Sequence, residues 1–323
     1  MELTRTTLDE LDGKILQTLS RNCRVSYSSL GSEIGLTAKS VKARVKKMQS
    51  SGIIDSFIVK VNPLVFGYSK FYILVLRITS KTTDEKQIRR NLSLLGEILY
   101  TGHILGNIST FKLAIRKEAE EKIGLLVDMI GKDMLIQNQT VAFQNVREQP
   151  TYIDFKIMRC LLDRPRMEIS DIAERISRSS KTVARRLEKL IENHVLEFTL
   201  QFNFTAIRGY IVSVVSANIE KGSYGKIFEK SYSDFKDSFC IYSPMLSEED
   251  VIYWLFFSKD VFALNSVVRK VESYLGVKKV DFFIPISIDY HKELIKKEVE
   301  RKLGDKRELN ILAKEISNVG CGH

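Results

Sequence analysis

Nothing in this sequence is long and apolar enough to span a bilayer. The longest apolar runs, Phe71-Tyr72-Ile73-Leu74-Val75-Leu76 and Val251 to Phe257, are strand-sized. Met1-Glu2-Leu3-Thr4-Arg5 lacks the apolar core of a signal peptide. These absences predict a cytoplasmic protein with no membrane partner. Cysteine is scarce too: Cys23, Cys160, Cys240 and Cys321 are scattered and form no CxxC pair, which argues against a zinc knuckle or a disulfide framework. Cys321-Gly322-His323 reads as a frayed tail sooner than a chelate. There are four histidines and no Ser-His-Asp order, P-loop or metal-ligand spacing. The common enzyme classes therefore have no foothold, and neither metal nor cofactor is expected.

What the chain does have is positive charge. A formal net charge of +10 favours a polyanionic partner, provided that the charge is concentrated somewhere. The 323 residues exceed one typical core, so two to four compact units are expected.

An internal repeat organises the rest. Residues 8–63 and 150–205 align without a gap, Asp12 falling on Asp154. The same shift pairs Ile15 with Ile157, Leu19 with Leu161, Leu30 with Ile172, Ile34 with Ile176 and Lys39 with Lys181. It also pairs Val41 with Val183, Arg44 with Arg186, Met48 with Leu190, and Gly67-Tyr68 with Gly209-Tyr210. Such a match of apolar and basic positions is read as a duplication.

Each copy has a three-helix grammar. Leu8, Leu11, Ile15, Leu16 and Leu19 fall on one face of a helix over about 8–19. A short helix over about 26–34 buries Leu30 and Ile34. Gly35-Leu36-Thr37 then makes a turn in which Gly35 takes a positive φ and Thr37 caps the next helix. That third helix, about 38–50, turns Val41, Val45 and Met48 inward. A Ser51-Gly52 stop leads into a strand alternating Phe57, Val59 and Val61. The spacing spells helix-turn-helix plus a strand wing. In the second copy the helices are expected at about 151–162, 168–176 and 179–192, with Val183, Leu187 and Leu190 inward. A strand carrying Phe198, Leu200 and Phe202 follows. Ser177 stands where the first copy has Gly35, so that turn is expected to be strained or differently shaped.

No acid lies between Glu33 and Asp55. The third helix therefore lacks the i,i+4 ion pairs that usually balance surface lysines. Thr37, Lys39, Ser40, Lys42, Ala43, Arg44, Lys46 and Lys47 are the candidate contacts to double-stranded DNA, the small Ser40 and Ala43 admitting close approach to base edges. Arg178, Ser179, Ser180, Lys181, Thr182, Arg185, Arg186 and Lys189 are their counterparts, interrupted only by Glu188. A solvated basic face is the blander reading of one such helix, and two aligned copies weaken it.

The intervening segments alternate between strand and helix. Strands at 68–78, 97–104, 109–116 and 134–143 with helices at 84–95 and 118–130 give β-α-β-β-α-β, the ferredoxin-like order. The second set is strands at 209–219, 238–243, 251–258 and 278–287 with helices at 224–236 and 260–275. Each such sheet leaves an apolar face free, and the two faces are expected to cover each other, making the chain a pseudo-dimer. Residues 289–316 read as a helix with Leu294, Ile295, Val299 and Leu303 along one stripe, completing a local core. The expected class is α+β: a winged helix-turn-helix over 1–63, a ferredoxin-like domain over 64–148, a second pair over 149–205 and 206–288, and a helix and tail over 289–323.

The sequence resembles the Lrp/AsnC (feast/famine) family of transcription regulators in tandem-duplicated form. The resemblance rests on Leu8-Asp9-Glu10-Leu11-Asp12-Gly13-Lys14-Ile15-Leu16, Ile34-Gly35-Leu36-Thr37, Arg44-Val45-Lys46-Lys47-Met48, Gly52-Ile53-Ile54 and Asn62-Pro63. It implies sequence-specific DNA binding and a homodimer or higher homo-oligomer. It also implies a small-molecule effector site at the hairpin carrying Gly102, Gly106, Asn107, Ser109 and Thr110. Ser109 stands where the family pattern has an acid, which removes the usual partner for an amino group. Siroheme decarboxylases share the architecture, and a siroheme-decarboxylase-like enzyme is the rival reading, with His103 and the aromatic strand at 252–257 as its material. The basic residues concentrate on the third helices, away from the sheets, and favour the regulator over the enzyme.

Overall fold

The computed structural model describes residues 7–78, 85–130, 135–143, 145–235, 240–242 and 251–304. The acidic stretch Ser243 to Asp250, the Cys321-Gly322-His323 tail and the expected helix beyond residue 304 lie outside the described residues. In chain order the first half comprises α1 (Glu10–Arg21), α2 (Tyr27–Ile34), α3 (Ala38–Ser50), β1 (Ile54–Val61), β2 (Lys70–Arg77), α4 (Glu85–Ser93), β3 (Gly96–Ile104), β4 (Ile108–Ile115), α5 (Ile123–Ile130) and β5 (Leu135–Ala142). The second half repeats it with α6 (Tyr152–Asp163), α7 (Ile169–Ile176), α8 (Ser180–Glu192), β6 (Leu196–Phe202), β7 (Ile211–Ile219), α9 (Tyr224–Asp234), β8 (Cys240–Tyr242), β9 (Val251–Ser258), α10 (Val261–Glu272) and β10 (Val277–Phe283). β11 (Pro285–Tyr290) and a helix over residues 292–304 follow.

Both ferredoxin-like sheets are present, in the orders β5-β2-β4-β3 and β10-β7-β9-β8. Strand alternation decides which residues meet the helices. Tyr72, Leu74 and Leu76 pack with Ile88, Leu92, Leu126 and Ile130 under α4 and α5. Val215, Ala217, Trp254 and Phe256 do the same with Ile227, Leu264 and Val271 under α9 and α10. The opposite faces look inward.

The strand after each helix-turn-helix is not a self-contained wing. β1 and β6 pair antiparallel with each other, and the register is reciprocal. Phe57 meets Leu200, the counterpart of Ile58, while Ile58 meets Thr199, the counterpart of Phe57. A pseudo-twofold axis therefore crosses the ribbon between these pairs, and the contact is isologous, as in a symmetric dimer. Arg24 and Arg166, equivalent under the duplication, repeat this reciprocity: Arg24 donates to the Pro165 carbonyl at 2.6 Å, and Arg166 donates to the carbonyl of Cys23, the counterpart of Pro165. One core cluster joins both helix-turn-helix units, the ribbon and the C-terminal helix, whose Leu294, Ile295, Val299 and Leu303 are all buried.

Symmetry breaks at the end of the chain. The single strand expected over 278–287 is two strands separated at Ile284. β10 completes the second sheet against β7, whereas β11 crosses to the first and pairs antiparallel with β3. Pro285, which has no amide to donate, opens β11. Gly102 admits it: a Cβ there would lie 2.6 Å from Thr110 Cγ2 and 3.2 Å from the Ser287 carbonyl oxygen. The C-terminal helix then packs beside α6 and the first ferredoxin-like unit, with Lys296 on Asp163 at 3.1 Å and Tyr68 on Glu298 at 3.2 Å.

The inward faces of the sheets line a half-open cavity of about 280 Å³, with the ribbon as its third side. Ile73, Val75 and Lys112 look across it toward Val214, Tyr253 and Leu255.

Candidate nucleic-acid interface

Local chemistry sets where each third helix begins. Gly35 reverses the chain at φ +74°, and Thr37 Oγ1 accepts the Ser40 amide at 3.1 Å. In the second copy Ser177 takes the same left-handed position at φ +53°, and Ser179 Oγ accepts the Thr182 amide at 3.2 Å. The turn keeps its shape without glycine, so the expected difference resolves into strain alone. A second such pair exists: Gly52 at φ +75° corresponds to His194 at φ +59°.

Val41, Val45 and Met48 are buried, as are Val183, Leu187 and Leu190. That orientation leaves Thr37, Lys39, Lys42, Ala43, Lys46 and Lys47 exposed, with Ser40 half-buried. Among the described residues these four lysines make no ion pair. On the second copy Arg178, Ser179, Ser180, Lys181, Arg185 and Lys189 are exposed and Thr182 is half-buried. Lys189 is paired with Glu148, both side chains being more than half exposed, and Arg178 donates to the Ser177 carbonyl at 2.9 Å.

Two of the expected contacts also make ion pairs within the fold. Arg44 Nη1 lies 2.7 Å from Asp9 Oδ2 and 2.7 Å from Asp12 Oδ1. Arg186 Nη1 donates to Thr151 Oγ1 at 2.9 Å and reaches Asp154 Oδ1 at 3.1 Å. In each copy the acid belongs to the capping box that starts the first helix. Burial alone would raise the Asp9 pKa, but the Asp12 amide and the Arg44 guanidinium outweigh it and hold the carboxyl below its usual range. The Asp12 side chain is only 5% exposed, so drawing Arg44 away would strand a buried carboxylate. Arg44 and Arg186 brace the third helix on the first, with 29% and 25% of their side chains still exposed.

Sequence reasoning missed Arg24 and Arg166, for which equivalence under the repeat is the only available signal. Their guanidiniums lie over Phe198 at 5.4 Å and Tyr27 at 4.5 Å. Between them the Cys23 thiol is pushed up to about 12, burial outweighing the two arginines.

The hairpin expected to hold an effector divides into parts with different tasks. Gly106 at φ +91° and Asn107 at φ +60° form the exposed turn. Ser109 is buried, with its hydroxyl 3.4 Å from His103 Nδ1. Only Gly102 and Thr110 reach the cavity wall. His103 is half-buried and does not line the cavity.

Residues 8–49 match the AsnC-type helix-turn-helix domain, and residues 150–197 match the winged helix-turn-helix DNA-binding domain. Over 125 residues the chain is 32% identical to an uncharacterized HTH-type transcriptional regulator of Pyrococcus furiosus, covering 83% of that protein and 39% of this chain. The chain belongs to the Lrp/AsnC family. The HTH-type transcriptional regulator Ptr1 of Methanocaldococcus jannaschii is 34% identical over 131 residues, 87% of its length and 38% of this chain. Among solved structures, the siroheme decarboxylase NirDL aligns over 93% of this chain and 100% of its own at 14% identity and TM-score 0.45. AsnC of E. coli aligns over 45% of this chain and 98% of its own at 26% identity and TM-score 0.29. The two regulators each match less than half of this chain, in which a helix-turn-helix domain occurs twice. No helix among the described residues is long and apolar enough to cross a membrane.

Proposed function

We propose that this Lrp/AsnC-family chain is a sequence-specific transcription regulator that binds double-stranded DNA with α3 and α8, and that a single chain takes the place of a dimer. The observation that carries this reading is the reciprocal β1–β6 ribbon, which relates two basic third helices by an approximate twofold axis. Helices so related suit successive major grooves about 34 Å apart or a multiple of that. The exposed residues of α3 and α8 differ, so the operator is an imperfect palindrome. Lys39, Lys42, Lys46 and Lys47 serve the first half-site, and Lys181, Arg185 and Arg178 the second, while Arg44 and Arg186 act through the fold.

Footprinting with the salt dependence of binding tests the reading. Two protected half-sites are expected, and Lys42→Ala with Lys46→Ala should flatten the slope of log K against log salt by roughly 2, at about 0.9 per lost phosphate contact. A single half-site indifferent to Arg185→Ala, or an undiminished slope, would defeat it.

The size and lining of the cavity weigh against the decarboxylase reading. At about 280 Å³ it is roughly twice the ~150 Å³ apolar cavity that accommodates benzene, which is small for a tetrapyrrole. No histidine lines it among the described residues. Because the sheet faces cover each other within one chain, any further homo-oligomer must use outer surfaces. Leu125 and Met129 on α5 and Val261 and Phe262 on α10 are among the exposed apolar residues there.

A further inference from the structure

We propose that the cavity between the two sheets binds a small apolar monocarboxylate without an amino group, such as an aryl-alkanoic or branched-chain acid. The cavity offers room for about two rings, by comparison with the ~150 Å³ that takes benzene. Ile73, Val75, Val214 and Leu255 make its body apolar, the usual character of a small-molecule site.

Its charged groups gather near one ring. The Lys60 and Lys112 ammonium groups each lie 5.9 Å from the centre of Tyr100, and Lys112 lies 4.4 Å from the centre of Phe71. Lys60 is tied to Glu197 at 3.0 Å across the ribbon. Both lysines line the cavity, whereas no aspartate or glutamate among the described residues does. A carboxylate entering beside Tyr100 would accept a charge-assisted hydrogen bond from Lys112. Among the described residues the ammonium of an α-amino acid would find no carboxylate on these walls, and it would bring a second positive charge toward two lysines at a desolvation cost. The chemistry thus selects the acid and rejects the amino acid of the same skeleton.

The site is separate from the β3–β4 turn, since Gly106 and Asn107 do not line it. It rests on the cavity alone and is tested without DNA, so its failure and that of the DNA reading are distinguishable.

Calorimetric titration of the full chain would use 3-phenylpropionate and 4-methylpentanoate as probes, with L-phenylalanine and 3-phenylpropan-1-ol as controls. At least one acid should bind saturably, and 3-phenylpropionate roughly tenfold tighter than either control, a single charge-assisted contact being enough for that margin. Lys112→Met should reduce the acid to the affinity of the alcohol. Leu255→Trp should abolish binding by filling the space, and circular dichroism reports whether that variant folds; if it does not, Lys112→Met decides. Failure of both acids to bind, equal binding of L-phenylalanine, or an unchanged preference for the acid in Lys112→Met would overturn the proposal.

Discussion

At the scale of single residues, the second copy keeps left-handed backbone at two places where the first has glycine. Ser177 and His194 stay in the left-handed region that Gly35 and Gly52 occupy although each carries a Cβ that disfavours it. Surrounding helices and hydrogen bonds, such as the His194 amide on the Ile191 carbonyl at 3.0 Å, hold them there. Ser177→Gly is expected to stabilise the protein by about 1 kcal/mol, visible as a rise of about 2 °C in Tm. An unchanged or lower Tm would show that Ser177 is unstrained. The Ser177 substitution was legible in the sequence; its retention of the glycine geometry was not, because backbone angles are imposed by what packs around them.

Arg44 illustrates the converse. Its place on a basic helix marks it as a DNA contact in sequence, yet two carboxylates from another helix claim it. Arg44→Ala should lower stability by about 1–3 kcal/mol, since it strands the buried Asp12 carboxylate. Lys42→Ala, at an exposed position, should leave Tm nearly unchanged. Paired thermal melts separate the two, and equal Tm values would refute the bracing role.

At the scale of elements, the helices were the most legible part. α3 covers the residues its spacing predicts, and the other helix-turn-helix helices begin or end within two residues of expectation. Their 3.6-residue periodicity and capping residues are local. Strand partners are not local: the strands expected as wings join each other, and one expected strand divides between two sheets. Pro285 was the available hint of that division, yet nothing nearby names β3 as the destination.

The β11 crossing also makes a pH-dependent contribution. His291 just beyond it holds Thr101 Oγ1 at 3.0 Å, and burial, reinforced by Arg89, lowers its pKa below the ordinary 6.5. His194 is shifted in the same direction by burial and Arg147. The unfolded chain therefore takes up protons that the folded chain refuses. This contribution to stability is complete above pH 6.5 and is lost as pH falls toward and through the folded-state pKa. His291→Gln should lose less stability than the wild type on acidification below 6.5, as read by urea denaturation at several pH values. Parallel pH profiles would refute the assignment.

At the scale of the molecule, the halves are interleaved rather than joined in series. The ribbon, the Arg24 and Arg166 contacts, β11 on β3 and the Tyr68 contact to Glu298 of the C-terminal helix all cross between them. A specific protease site introduced between Glu148 and Gln149 should therefore yield a nicked protein that co-elutes as one species in native size-exclusion chromatography and separates only in denaturant. Separation in native buffer would show that the crossings do not hold.

By itself the sequence determined the duplication, the helix-turn-helix pattern, the ferredoxin-like order and the acid-free stretch of α3. Each of these is a matter of local periodicity, spacing or composition along one segment. Tertiary structure alone decided that the wing strands are shared, that Arg44 and Arg186 pair with the first helix of their unit, that β11 changes sheets and that the two sheets line a cavity. Those outcomes depend on which partner each strand edge, charge and apolar face finds, and the partners stand far apart in the chain.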